Sequence, residues 1–145
     1  MLTQIDADSL VAMPKRLEQS SQLKFPFRGE KQSWKALSSI SRDHFLMDVN
    51  RNGIRLLKCT YQERYRLTEI LVRVDVGVTS LHQNPDGELI RGPHVHLYRE
   101  GFGDKWASLL PQDRFASSGD LVQTLRDFLE FCNVEAVPEI QLSLL

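Results

Sequence analysis

The segment from Tyr65 to Val78 constrains this chain more than any other. Ile70, Val72, Val74 and Val76 recur at every second residue, with Glu69, Arg73 and Asp75 at odd positions. β-Branched side chains at period two suit a pleated strand with one buried face and crowd a helix. Such a strand needs paired neighbours and a second layer to cover its apolar face. Upstream, Phe45, Met47 and Val49 alternate with Leu46 and Asp48. Asn50-Arg51-Asn52-Gly53 then reads as a hairpin turn, with a return strand from Ile54 to about Tyr61. Downstream, Asn84-Pro85-Asp86-Gly87 is a second turn signal. It folds a strand beginning at His94 back, antiparallel to the 65–78 strand. Gly92-Pro93 marks a bulge or bend, because proline donates no ladder hydrogen bond. Lys105 to Leu110 reads as a short fifth strand.

The covering layer comes from the two ends of the chain. Thr3 followed by Asp6 reads as a capping box, with Leu2 as a staple, opening a helix that Pro14 kinks or restarts. Ser117-Ser118-Gly119-Asp120 opens an amphipathic helix whose Leu121, Leu125, Phe128, Leu129 and Cys132 fall on one face, with Asn133 as its stop. Val137-Pro138 ends any helix, and an apolar tail follows. Residues 20–43 carry little periodicity beyond Phe25-Pro26-Phe27-Arg28-Gly29, an extended segment and a turn. The expectation is one α+β domain over residues 1–145, in two layers. An antiparallel sheet of four or five strands is flanked by an N-terminal and a C-terminal helix. Val72, Val74, Val95, Leu97, Leu125, Phe128 and Leu129 form its core.

Charge and motif content exclude several classes. With 18 basic and 19 acidic residues the net charge is -1, which opposes a non-specific nucleic-acid coat. No phosphate loop, dinucleotide fingerprint, nucleophile elbow or zinc-ribbon spacing is present, so no cofactor is expected. Cys59 and Cys132 stand far apart and read as small buried hydrophobes of a reducing compartment. No apolar run reaches a membrane span and no secretory leader precedes the first helix, so the expected location is the cytoplasm.

Chemistry concentrates in Gly92-Pro93-His94-Val95-His96-Leu97-Tyr98-Arg99-Glu100-Gly101. Read as a strand, period two puts His94, His96, Tyr98 and Glu100 on one face and Val95 and Leu97 on the other. Pairing with the 65–78 strand adds Glu69, Arg73 and Asp75 to the polar face. The candidate catalytic residues are therefore His94, His96, Tyr98, Glu100 and Arg73. Imidazoles tuned by a carboxylate, beside a cation, suit acid–base cleavage of a phosphodiester. The same face equally suits docking to a protein, or mere solvation with cross-strand pairing. His94 to Glu100 resembles the His-x-His-x3-Glu portion of the first cupin motif, but no second histidine motif follows. Spacing fixes no further ligand, so no metal is expected. His82 before its turn and His44 at a strand start read as solvated. The basic and aromatic run Lys58 to Arg66 suits either a single-stranded nucleic-acid surface or an ordinary hairpin connection. Gly101 to Trp106 reads as a flexible loop, with Trp106 starting a strand.

The stretch from Asn84-Pro85-Asp86-Gly87 through Pro93-His94-Val95-His96-Leu97-Tyr98-Arg99-Glu100-Gly101 to Asp104-Lys105-Trp106-Ala107 resembles a family of small uncharacterised bacterial proteins. Its members occur in prophages and other mobile elements. The likeness runs from the first helix to Phe131-Cys132-Asn133, with Pro14 as a departure, and implies no catalytic assignment. More distantly, the hairpin and the histidine-bearing strand are similar to toxins of toxin–antitoxin pairs. That likeness implies an RNA-cleaving or RNA-binding toxin-type protein if the His94/His96 face is open. The alternative is a non-enzymatic protein inhibitor, an antitoxin or a phage counter-defence factor such as an anti-CRISPR. The implied partners are RNA, or a protein mate or defence complex.

Overall fold

Period-two patterning continues well beyond the strands legible in the sequence. The computed structural model describes residues 1–19 and 21–142. In chain order it contains α1 (Gln4–Ala12), β1 (Lys15–Leu17), β2 (Leu23–Phe25), β3 (Lys31–Ser38), β4 (His44–Arg51), β5 (Cys59–Tyr65) and β6 (Glu69–Val76). There follow β7 (Leu81–Gln83), β8 (Leu89–Arg91), β9 (His94–Leu97), β10 (Ala107–Leu109), α2 (Leu121–Phe131) and β11 (Ile140–Leu142). The fold is α+β, but the main sheet has seven strands rather than four or five, in the order β1-β3-β4-β5-β6-β9-β10. All its neighbours pair antiparallel. Two further ribbons pair β11 with β2 in parallel and β7 with β8 antiparallel.

Of the two extra strands of the main sheet, β3 comes from the stretch that carried little pattern and β1 from the segment read as the first helix beyond Pro14. On β3 only Trp34 and Ala36 are buried, so polar residues dominate its sequence. Phe25-Pro26-Phe27-Arg28-Gly29 is a strand end and a turn, as expected. Pro14 does not kink α1 but ends it. Met13, the residue before proline, takes φ -67° and ψ 142°, the extended conformation that proline imposes, and β1 starts at Lys15. The expected return strand from Ile54 begins only at Cys59. The Asn52 carboxamide instead accepts from the amides of Ile54 and Arg55 and holds a wider loop, leaving Ile54 exposed. The 65–78 strand is also shorter than expected. Arg66 and Leu67 turn with φ 53° and 65° before β6 begins.

One face of the sheet carries Trp34, Phe45, Met47, Val49, Tyr61, Val72, Val74 and Val95, and both helices cover it. Leu125, Phe128 and Leu129 of α2 are fully buried there, and the Tyr61 hydroxyl donates to the Leu121 carbonyl at 2.7 Å. Asp120 caps α2 by accepting from the Gln123 amide, and Asn133 stops the helix with φ 58°. Leu97 does not join this core. It is 46% exposed, at the end of β9, in an open groove beside Ala7 and Val11 of α1. The core also contains an ion pair, Lys15 Nζ to Glu63 Oε2 at 3.2 Å, both side chains fully buried. Lys15 Nζ donates to the carbonyls of Val11 and Cys132, at the C-terminal ends of α1 and α2. A cation suits both helix ends. Glu63 takes no aligned hydrogen bond, and burial raises its carboxyl from 4.5 to about 7 against the pull of Lys15.

Candidate functional site

Alternation along three adjacent strands leaves a polar face opposite the core. On β6, Arg73 and Asp75 point away from Val72, Val74 and Val76. On β9, His94 and His96 point away from Val95. Antiparallel register sets Arg73 opposite His96 and Asp75 opposite His94, while β5 places Thr60 opposite Asp75. Sequence alternation mis-assigns the other end of β6. The register slips between Glu63 and Arg64, so Ile70 faces Arg64 on the polar side and Glu69 faces Tyr65. Ile70 therefore leaves the core face, Glu69 leaves the site, and Leu71 at the bulge is buried instead.

Each imidazole is anchored through one nitrogen. His94 Nδ1 lies 2.8 Å from the Gly92 carbonyl and His96 Nδ1 lies 2.7 Å from the Asp104 carbonyl. A carbonyl can only accept, so both Nδ1 atoms carry the proton. Gly92, at φ 92°, makes the turn that brings its own carbonyl to the ring. Both Nε2 atoms then face Asp75 Oδ2, at 3.5 Å from His94 and 3.3 Å from His96. The other carboxylate oxygen accepts from the Thr60 hydroxyl at 2.7 Å, and Arg73 Nε donates to Oδ2 at 2.9 Å. Burial opposes the Asp75 charge, but the Thr60 bond and the Arg73 guanidinium favour it, and the carboxyl lies below its usual range. Burial dominates at His94 and lowers its pKa, despite the Gly92 carbonyl and Asp75.

A third imidazole closes the rim. The β7–β8 ribbon is pinned to β10 by Asn84, which donates to the Ala107 carbonyl and accepts from its amide. This carries His82 over the site, its ring 4.5 Å from that of His96 and edge-on to it. His82 Nε2 donates to the Lys105 carbonyl at 2.8 Å. The cleft so formed has a volume of about 360 Å³, with Lys58, Arg73 and Lys105 on its walls. Arg73 and Thr60 also line a neighbouring cleft of about 440 Å³. There Asp48 is gripped through both oxygens by Arg64 and accepts from Ser33 and Gln62.

Of the sequence candidates, Arg73, His94 and His96 meet here, while Tyr98 and Glu100 do not. The strand ends at Leu97, and the next residues clamp α1 instead. The Tyr98 hydroxyl donates to the Leu2 carbonyl, and the Glu100 carboxylate accepts from the Gln4 amide. A family model for a family of unknown function, DUF6978, matches residues 2–134, from the residue before Thr3 to just beyond α2. The chain belongs to DUF6978. No curated protein and no solved structure matches it.

In this DUF6978 chain, sequence reasoning missed the parts played by Asp75 and His82. Asp75 stood on the polar face without a role, because only register shows that it meets both imidazoles. His82 read as solvated, and only the Asn84 anchor moves it over the site. In the Lys58 to Arg66 run Tyr61 and Tyr65 are buried, Arg66 stacks on the Tyr65 ring, and Thr60, Gln62 and Arg64 join Lys58 on the polar side. His44 is exposed, as expected. Trp106 lies in the loop before β10, stacked under Arg99 and edge-on to Phe102. Among the described residues, no helix is long and apolar enough to cross a membrane.

Proposed function

We propose that this chain is an RNA-directed protein of toxin type, which binds and cleaves RNA at the His82/Asp75/His94/His96 cleft. The observation that carries the reading is concavity. His94 and His96 lie recessed in a cleft beside Arg73, not on a flat polar face. Arg73, Lys58 and Lys105 supply the positive charge a phosphodiester needs, and the Asp48 cleft continues the polar face for the flanking strand. His82 is the accessible proton acceptor. Its Nε2 proton is held by a carbonyl, which leaves Nδ1 as a lone pair in the neutral ring.

In the cleavage step the RNA 2′-oxygen attacks the adjacent phosphorus and its proton passes to His82 Nδ1. The bond from phosphorus to the 5′-oxygen breaks, and that oxygen takes a proton from the Lys105 ammonium. The products are a 2′,3′-cyclic phosphate and a 5′-hydroxyl. A proton relayed from His82 back to Lys105 through solvent resets the site. The alternative, a protein inhibitor docking through this side of the sheet, draws on the exposed Leu109 of β10, which lies opposite His94 in the ladder.

The test is RNA cleavage by purified wild type against His82→Gln and Arg73→Gln. Each variant should lose at least tenfold in rate, about 1.4 kcal/mol. A wild type that leaves every RNA intact and binds none overturns the reading. Capture of a defined protein mate, lost on Leu109→Asp, then supports docking.

A further inference from the structure

We infer that Asp75, His94 and His96 together bind one divalent transition-metal ion of the zinc or cobalt class, through Asp75 Oδ2 and the two Nε2 atoms. The inference goes beyond the RNA reading and stands on these side chains alone. Their ligating atoms all lie within 4.8 Å of one another, and all three residues are buried.

The hydrogen bonds around the rings leave the centre electrostatically incomplete. Each neutral ring spends its single N–H on a backbone carbonyl. Each Nε2 then aims a lone pair at the same carboxylate oxygen. Lone pairs facing a carboxylate repel, so something positive belongs between them. The two rings sit with centroids 5.0 Å apart, both buried, around that one carboxylate oxygen. The separations of 3.3 and 3.5 Å also exceed the ~2.7–2.9 Å of a charge-assisted N–H···O bond.

A metal ion answers both points. With metal–ligand bonds of ~2.0–2.1 Å, the edge of a tetrahedron is ~3.3 Å, which the nitrogen–oxygen separations match. The surroundings are those of a metal site in other respects. Histidine ligands donate their remote N–H to carbonyls, and the carboxylate is itself oriented by Thr60 and Arg73. Two imidazoles and one carboxylate select a borderline ion over calcium or magnesium. Three protein ligands leave a coordination position open toward the cleft, the arrangement of catalytic rather than structural sites. An ion there would face the oxygen of any phosphate held by Arg73.

The test titrates the EDTA-stripped full chain with ZnCl₂ by calorimetry and with CoCl₂ by visible absorption. Wild type should bind one ion per chain and give a tetrahedral cobalt band. Folded Asp75→Asn and His96→Gln should each bind at least about 100-fold more weakly. His44→Gln, at the exposed histidine of β4, should bind as wild type. The inference fails if wild type shows no saturable one-to-one binding. It fails equally if either folded ligand variant binds undiminished, or if His44→Gln abolishes binding. Where the ligand variants do not fold, imidazole nitrogen spectra of the wild type decide. Zn²⁺ must shift Nε2 of His94 and His96 and leave His44 unmoved, and unshifted Nε2 signals overturn the inference. None of these measurements involves RNA, so the metal site and the RNA reading can fail separately.

Discussion

Replacing Lys15 by Met should destabilise this protein strongly at pH 8 and only weakly at pH 5.5. Lys15 and Glu63 are both fully buried and 3.2 Å apart. Glu63 titrates at about 7 in the fold against 4.5 ordinarily. Between those values the folded chain holds a proton that the unfolded chain has released. Stability is therefore greatest below 4.5 as far as this group is concerned, falls as pH rises, and has lost its share once pH passes about 7. At ~1.4 kcal/mol per pH unit the share is about 3 kcal/mol. At pH 8 Glu63 is ionised, and Lys15→Met strips its counter-ion, which for a buried pair costs about 3–5 kcal/mol. At pH 5.5 the carboxyl is neutral in the fold either way. The remaining cost is the loss of two hydrogen bonds from Nζ to the carbonyls of Val11 and Cys132, about 1–2 kcal/mol. The double variant Lys15→Met/Glu63→Leu removes both charges and should equal or exceed the wild type at pH 8. Urea titrations of the three proteins at both pH values measure this, provided the m-value stays constant. A Lys15→Met penalty that is equal at the two pH values, or below 1 kcal/mol at pH 8, would refute the reasoning.

Three further outcomes are expected. Phe128→Ala, at a fully buried ring 6.0 Å from that of Tyr61, should cost about 3–5 kcal/mol in a denaturant titration, and under 1 kcal/mol would contradict helix-on-sheet packing. Tyr98→Phe removes the hydroxyl bonded to Leu2 and should cost about 1 kcal/mol while leaving RNA cleavage unchanged; a large loss of cleavage would return Tyr98 to the site. Gly92→Ala places a side chain at φ 92° and should cost about 1–3 kcal/mol, with a shift of the His94 imidazole resonances as its carbonyl partner moves.

The legible parts of the fold were those where hydrophobic period and turn chemistry agreed. The α2 stripe from Leu121 to Leu129 and the Val72/Val74/Val76 face each have one reading, and both are core. β1 and β3 were illegible because Lys15 is a lysine in the core and β3 buries only Trp34 and Ala36. The antiparallel pairing of the His94 strand with the Val72 strand was foreseen, but not the β7–β8 ribbon between them. Within the site, Arg73, His94 and His96 followed from alternation alone. Tyr98 and Glu100 did not, because a period cannot announce where a strand stops. Asp75 became a partner of both imidazoles only through register. A bulge beside Glu63 decided which side Glu69 and Ile70 take, and no local residue pattern announces it.

The alternation of β9 ties folding fidelity to the assembly of the cleft. His94 and His96 differ from Val95 and Leu97 only in the parity of their positions. A slip of one residue against β6 would carry both imidazoles into the helix-covered core and turn two aliphatic side chains into the cleft. Such a mispaired chain would lose its packing and its ligand cluster in the same event. Any population that retains the Asp75 cluster has already passed a test of the β6–β9 register. Metal binding at the cluster, followed across a refolding reaction, would count the molecules in which β9 is correctly paired with β6.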